Sequence, residues 1–182
     1  MTDRALADRF AAGGKRVLRL AIISDTHDNI WSLQAALLRL AETDAVLHCG
    51  DVCSPFMLRQ LGEGMGGKPV HMVWGNNNGD VLLIQSIAAQ LGNVTLHGEL
   101  AELVFDGVRV AVNHYPGIAQ GLAASGKYDL VCFGHTHKTL VQKVGECLLL
   151  NPGELMGLYG LRTFALYDTA TRQVEIVEVS QG

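Results

Sequence analysis

Apolar residues arrive in short runs along this chain, and most runs end in a polar cluster. Residues 17–24 (VLRLAIIS) are nearly continuous in apolar side chains, the pattern of a strand buried on both faces. Asn29 then offers a helix cap, and Leu33, Leu37, Leu38 and Leu40 keep helical spacing within residues 30–42. Residues 45–49 predict a second buried strand, and Pro55 suits the first turn of a short helix to Leu61. Residues 62–69 carry four glycines and predict a loop. Residues 70–74 form a third strand, and residues 80–91 a third helix closed by Gly92. Three strand–helix units in succession imply a parallel sheet with right-handed crossovers.

The second half shifts to hairpins. Leu100–Phe105 and Val108–Asn113 flank Asp106-Gly107, a two-residue turn. A fourth helix fits residues 118–125, and residues 130–133 make another buried strand. Thr139–Val144 and residues 147–151 flank Gly145-Glu146. Thr163–Asp168 and residues 174–179 are a third pair. The expected architecture is α/β, with two packed sheets and helices outside them, in one domain over residues 17–182. Residues 1–16 read as a tail or as a short helix at residues 5–12, set apart by Gly13-Gly14.

Composition narrows the function classes. With 48% hydrophobic and 18% charged residues among 182, the chain is an ordinary soluble globular protein. A net charge of −4 argues against a large basic surface for duplex nucleic acid. An aromatic content of 6% gives a nuclease no stacking track. No apolar run is long enough to cross a bilayer, so no membrane role is expected. Residues 1–16 hold no apolar stretch of the secretory kind. Cys49, Cys53, Cys132 and Cys147 form no C-x-x-C pair and read as reduced thiols of a cytoplasmic protein, with Cys53 nearest the chemistry.

That chemistry lies in five motifs: Asp25-Thr26-His27, Gly50-Asp51, Gly75-Asn76-Asn77, Asn113-His114 and Gly134-His135-Thr136-His137. Each follows a predicted strand. In open α/β sheets the carboxyl ends of strands are where ligands gather. The motifs supply Asp25, Asp51, Asn76, His27, His114, His135 and His137, a donor set suited to a pair of divalent metals. Mixed oxygen and nitrogen donors without thiolate fit Mn²⁺, Fe, Ni²⁺ or Zn²⁺ and fit Ca²⁺ poorly. Asp25-x-His27 and His135-x-His137 are expected to be extended, so that alternate side chains face one ion. The glycines at 50, 75 and 134 allow close approach of the backbone.

The motifs as they stand are Ser-Asp-Thr-His-Asp at 24–28, His-Cys-Gly-Asp-Val at 48–52, Trp-Gly-Asn-Asn-Asn at 74–78, Asn-His-Tyr at 113–115 and Gly-His-Thr-His at 134–137. Asn-Pro-Gly follows at 151–153. In order and spacing they resemble the calcineurin-like metallophosphoesterases, and within them the small YfcE-type branch. The resemblance implies a four-layer α/β/β/α sandwich with two metals, manganese being expected and Ni²⁺, Zn²⁺ or Fe the alternatives. Asp25, His27 and His137 would hold the first ion, Asn76, His114 and His135 the second, and Asp51 would bridge them. Asp51, Asn76, Asn77 and His114 would then serve catalysis. The implied activity is in-line hydrolysis of a small phosphodiester or phosphate ester, and the resemblance is compatible with a dimer or larger homo-oligomer of this chain. The alternative is a non-catalytic metal-binding scaffold resembling a retromer subunit, a change that goes with loss of ligands. All seven are present here.

The chain also departs from the family pattern. Asn77 stands where many members carry a histidine, and an amide cannot supply a proton to a leaving group. Asp80 is displaced by an extra Asn-Gly, and Tyr115-Pro116 replaces a common Gly-His. Glu154 stands where a small hydroxyl residue often follows Asn-Pro-Gly, and facing inward it would repel phosphate. Outside the motifs, His48 reads as a satisfied strand histidine, His71 and His97 as packing or turn residues, and Trp31 as core. Asp28 and Asn29 are expected to cap the first helix. Tyr115 is the aromatic expected to touch substrate, and Asn113 is expected to support a metal ligand.

Overall fold

The computed structural model describes residues 17–180, so the 5–12 helix lies outside the described residues. Four parallel strands form the first sheet: β1 (Arg19–Ile23), β2 (Ala45–His48), β3 (Val70–Met72) and β4 (Val94–Leu96). They are joined by α1 (Ile30–Leu40), α2 (Pro55–Gly64) and α3 (Val81–Leu91). The second sheet is built from β5 (Leu100–Phe105), β6 (Val108–Asn113), β7 (Leu130–Cys132), β8 (Thr139–Val144) and β9 (Cys147–Pro152). Its order is β5-β6-β7-β9-β8, with the inner three strands parallel. The chain then returns to the first sheet. β10 (Thr163–Asp168) pairs antiparallel with β1, and β11 (Val174–Glu178) pairs with β10. α4 (Pro116–Ala124) links β6 to β7.

Alternation along β1 shows why the layers stack. Ala21 and Ile23 face the helices and pack with Met57, Leu58 and Leu61 of α2. Leu20 and Ile22 face the other way, towards Val110, Val112 and Leu130 of the second sheet. Ala119 and Ala123 of α4 cover the outer side of that sheet, against Val131 and Leu149. The result is the four-layer α/β/β/α sandwich of two mixed sheets. No helix among the described residues is long and apolar enough to cross a membrane.

β5, β6, β8 and β10 have the bounds that the sequence predicts. Three features differ. α2 continues through Gly62 to Gly64, where a loop is expected. A Cβ on Gly62 would lie 2.6 Å from Leu91 Cδ1, so the bare helix lets α2 close against α3. β4 is three residues long and too short to show a period. α4 begins at Pro116 rather than 118, with proline in its first turn. The strands also end one or two residues early, leaving Ser24, Cys49, Trp74 and Phe133 in the loops beyond their carboxyl ends. Those loops carry the motifs.

Candidate metal centre

The loops after β1, β2, β3, β6 and β7 bring all five motifs to one edge of the sandwich. They do not do so by staying extended. Asp25, His27, Asp51, His135 and His137 have φ of 50°, 41°, 59°, 69° and 59°. The expected extended Asp-x-His and His-x-His segments instead kink at each Asp and His, which take left-handed φ while Thr26 and Thr136 do not. Such φ values in non-glycine residues cost energy and persist where surrounding contacts over-determine them. Here the contacts are cross-loop hydrogen bonds. The amide of Asp25 donates to Gly50 O at 3.1 Å, and that of His27 to Asp51 O at 3.0 Å. The amide of His135 donates to Asp25 Oδ2 at 3.0 Å. Glycine is required where the loops touch. A Cβ on Gly75 would sit 2.1 Å from Asp51 Oδ1, and one on Gly134 would sit 1.9 Å from Ser24 Oγ.

The donor atoms form two clusters. In the first, His137 Nε2 is 3.4 Å from Asp25 Oδ1, and the His27 and His137 rings stack with centroids 5.4 Å apart. Asp25, His27 and His137 each present a donor atom within 4.8 Å of the others. In the second, Asn76 Oδ1 lies 3.0 Å from His114 Nε2 and 2.9 Å from His135 Nδ1. Asp51 stands between them. Its Oδ2 is 3.7 Å from His27 Nε2 and its Oδ1 is 3.5 Å from His114 Nε2.

The tautomers show what is missing from this arrangement. His114 Nδ1 is 2.7 Å from Cys49 O, a bond that requires an N–H there. In the neutral ring Nε2 then carries a lone pair, and it faces two oxygens. His137 is similar, with Nδ1 held 2.7 Å from Glu154 Oε2 and Nε2 facing Asp25. Asp25 Oδ1 and His27 Nε2 are buried with no hydrogen-bond partner. Lone pairs converging on lone pairs, with the buried Asp25 Oδ1 left without a donor, fit divalent cations between them. The two carboxylates respond differently to burial. It pushes the carboxyl of Asp25 up, against the pull of Ser24, His114 and His137. Burial also opposes ionisation of Asp51, but hydrogen bonds from Asn77, with the nearby imidazoles of His114 and His27, prevail and hold it below its ordinary value.

Comparison with known proteins agrees with this geometry. Residues 18–172 match the calcineurin-like phosphoesterase superfamily domain. The chain belongs to the calcineurin-like phosphoesterase superfamily. A phosphodiesterase of Methanocaldococcus jannaschii is 26% identical over 161 residues, covering 86% of this chain and 96% of that protein. A solved structure of an archaeal phosphodiesterase superposes with a TM-score of 0.82 at 24% identity, covering 88% of this chain and 99% of the other. Vacuolar protein sorting 29 of Cryptosporidium parvum shares the fold with a TM-score of 0.63 at 20% identity, over 89% of this chain and 96% of the other. This phosphoesterase is thus one of a metal-dependent family, and Asp25, His27, Asp51, Asn76, His114, His135 and His137 converge on one edge of its fold.

The surrounding residues fall into place with corrections. His48 is fully buried and satisfied: the Gly50 amide donates to its Nδ1 at 3.1 Å, and its Nε2 lies 3.1 Å from Thr26 Oγ1. Burial drives its pKa down to about 3. His71 and His97 pair with each other at 2.9 Å, away from the motifs. Asn29 caps α1, accepting from the Ser32 amide, but Asp28 accepts from Ser54 at the start of α2 instead. Asn113 braces the turn through Glu99 O and the Tyr115 amide rather than a ligand side chain. Asp80 caps α3. Trp31 is 75% exposed at the start of α1, not core, because its side of the helix meets no second layer. Tyr115 stands edge-on to His114, with ring centroids 5.1 Å apart. Asn77 binds Asp51, through its amide N–H at 2.8 Å to Oδ1 and its side chain at 2.7 Å to Oδ2. Cys53 Sγ is 3.2 Å from His27 Nδ1, close to the chemistry as expected.

Two supporting residues were not legible as such. Asn151 donates to Gly134 O at 2.9 Å and Thr136 Oγ1 at 3.0 Å, and so ties down the Gly-His-Thr-His loop. Its signal was the Asn-Pro-Gly run. Glu154 faces inward, but towards His137 rather than towards substrate.

Proposed function

We propose that this protein is a dinuclear-metal phosphodiesterase. Asp25, His27 and His137 would hold one ion and Asn76, His114 and His135 the other, with Asp51 placed to serve both. The reading is carried by Asp51, whose two oxygens face the two clusters at 3.7 and 3.5 Å. Bound there, two divalent ions would supply an activated water for in-line attack and neutralise charge on the phosphoryl group. Mn²⁺ is the expected ion, to be compared with Ni²⁺, Zn²⁺ and Fe.

The protein's own part is positional. Asp51 fixes the line between the two clusters, and His114 and Asn76 orient the far side of it. Were Asp51 Oδ2 to take a cation, the Asn77 side chain, which now donates to it, would be free to donate to a phosphoryl oxygen. It cannot protonate a leaving group. This favours diesters with a good leaving group. A net charge of −4 favours a small substrate over duplex nucleic acid. A scaffold without activity is the competing reading, and the intact donor set speaks against it.

The test is hydrolysis of bis(p-nitrophenyl) phosphate beside p-nitrophenyl phosphate, with metal-stripped protein and protein reconstituted with each ion. Metal-dependent diester turnover, preferred over the monoester, is expected. Preference for the monoester overturns the reading of Asn77. Absence of turnover with two ions bound favours the scaffold.

A further inference from the structure

Glu154 carries a carboxylate with no solvent exposure. A buried charge is costly unless hydrogen bonds satisfy it. Its two oxygens are divided between two tasks. Oε2 lies 2.7 Å from His137 Nδ1. Oε1 accepts the backbone N–H groups of Tyr159 at 2.7 Å and Gly160 at 3.1 Å. The loop so held places the Tyr159 ring edge-on to His137, centroids 5.2 Å apart, with Tyr159 72% exposed. A serine or threonine hydroxyl here would have one oxygen and a shorter reach.

We propose that Glu154 is a positioning residue with two linked roles: it holds His137 in the tautomer whose Nε2 faces Asp25, and it pins the Tyr159 loop over that imidazole as a wall of the site. The first role deepens the metal reading given above and rests on it for its effect on ions. A carboxylate on the far nitrogen fixes the ring and makes Nε2 a better donor, and loss of such a partner typically weakens metal binding about 10–100-fold.

Glu154→Gln separates the roles, because an amide has only one accepting oxygen. If that oxygen stays with the Tyr159 and Gly160 amides, the NH₂ group faces His137 Nδ1 and forces the proton onto Nε2. If it stays with His137, the NH₂ group opposes two N–H groups and the loop opens. The experiment uses the full chain with its imidazoles labelled with ¹⁵N. It reads the His137 tautomer and the hydrogen exchange of the Tyr159 and Gly160 amides without metal, followed by titration with Mn²⁺. The expected result is a proton on Nδ1 in the parent and, in the variant, either its transfer to Nε2 or fast exchange of both amides. Where the proton moves to Nε2, one ion should bind about 10–100-fold more weakly and the other unchanged. An unchanged tautomer together with unchanged exchange overturns the proposal, as does a moved proton with unchanged affinity for both ions. If the parent binds no ions, the metal reading fails while the tautomer and exchange data still decide whether Glu154 positions His137.

Discussion

The two donor clusters use similar side chains and differ in how those side chains are held. Around Asp25, the imidazoles of His27 and His137 are braced by side chains, Cys53 Sγ at 3.2 Å and Glu154 Oε2 at 2.7 Å. The Asp25 carboxylate is fully buried, and it also lies within reach of Asp51 and His114. Around Asn76, the private oxygen donor is a neutral amide, His114 is braced by a backbone carbonyl, and both Asn76 and His135 are exposed. One side is charged and enclosed, the other neutral and open. The enclosed side is therefore expected to retain its ion, and the open side to exchange its ion and meet the substrate.

Asp51→Asn should break the comparison altogether, since Asp51 faces a histidine of each side. Turnover is expected to fall by about a thousandfold or more, with the second ion lost from equilibrium dialysis. An active variant holding two ions would show that Asp51 does not bridge. Next in size is the contrast between Asp25→Asn and Asn76→Ala. The former should weaken the tighter ion and the latter only the weaker one, as resolved by calorimetric titration. If both variants weaken the same binding step, the clusters do not act as separate sites.

The smallest effect concerns His48, which braces the loops on the Asp25 side. Its folded pKa of about 3 lies below the ordinary 6.5. Below pH 6.5 the unfolded chain takes up a proton that the folded chain does not, so this residue makes stability fall with pH down to about 3. The slope is on the order of 1 kcal/mol per pH unit. In urea denaturation of metal-free protein, His48→Asn should lose stability less steeply over that window. Parallel curves for the two proteins would contradict the assignment.

What the sequence made legible follows from physical range. The donors sit where apolar runs stop, and strand order carries those stops to one edge, so the cluster could be read from local pattern plus topology. Hairpins such as Leu100–Phe105 with Val108–Asn113 were legible for the same reason, since turn chemistry is local. The kinks at Asp25 and His137 were not, because their φ values are imposed by bonds to loops far along the chain, such as Asp25 N to Gly50 O. Gly62 belongs to α2 because of its fit to Leu91 of α3, which no local rule contains. Glu154 could be placed near the site but not aimed. Its direction depends on His137 on one side and the Tyr159 and Gly160 amides on the other.

The central claim is that one carboxylate joins two unequal ions. Electron paramagnetic resonance of the metal-stripped protein, titrated with Mn²⁺ to two equivalents, tests it directly. The account predicts a mononuclear signal at one equivalent that converts to an exchange-coupled dinuclear signal at two, and no coupled signal in Asp51→Asn. A mononuclear signal that only grows in intensity, with no coupling at any loading, would contradict it.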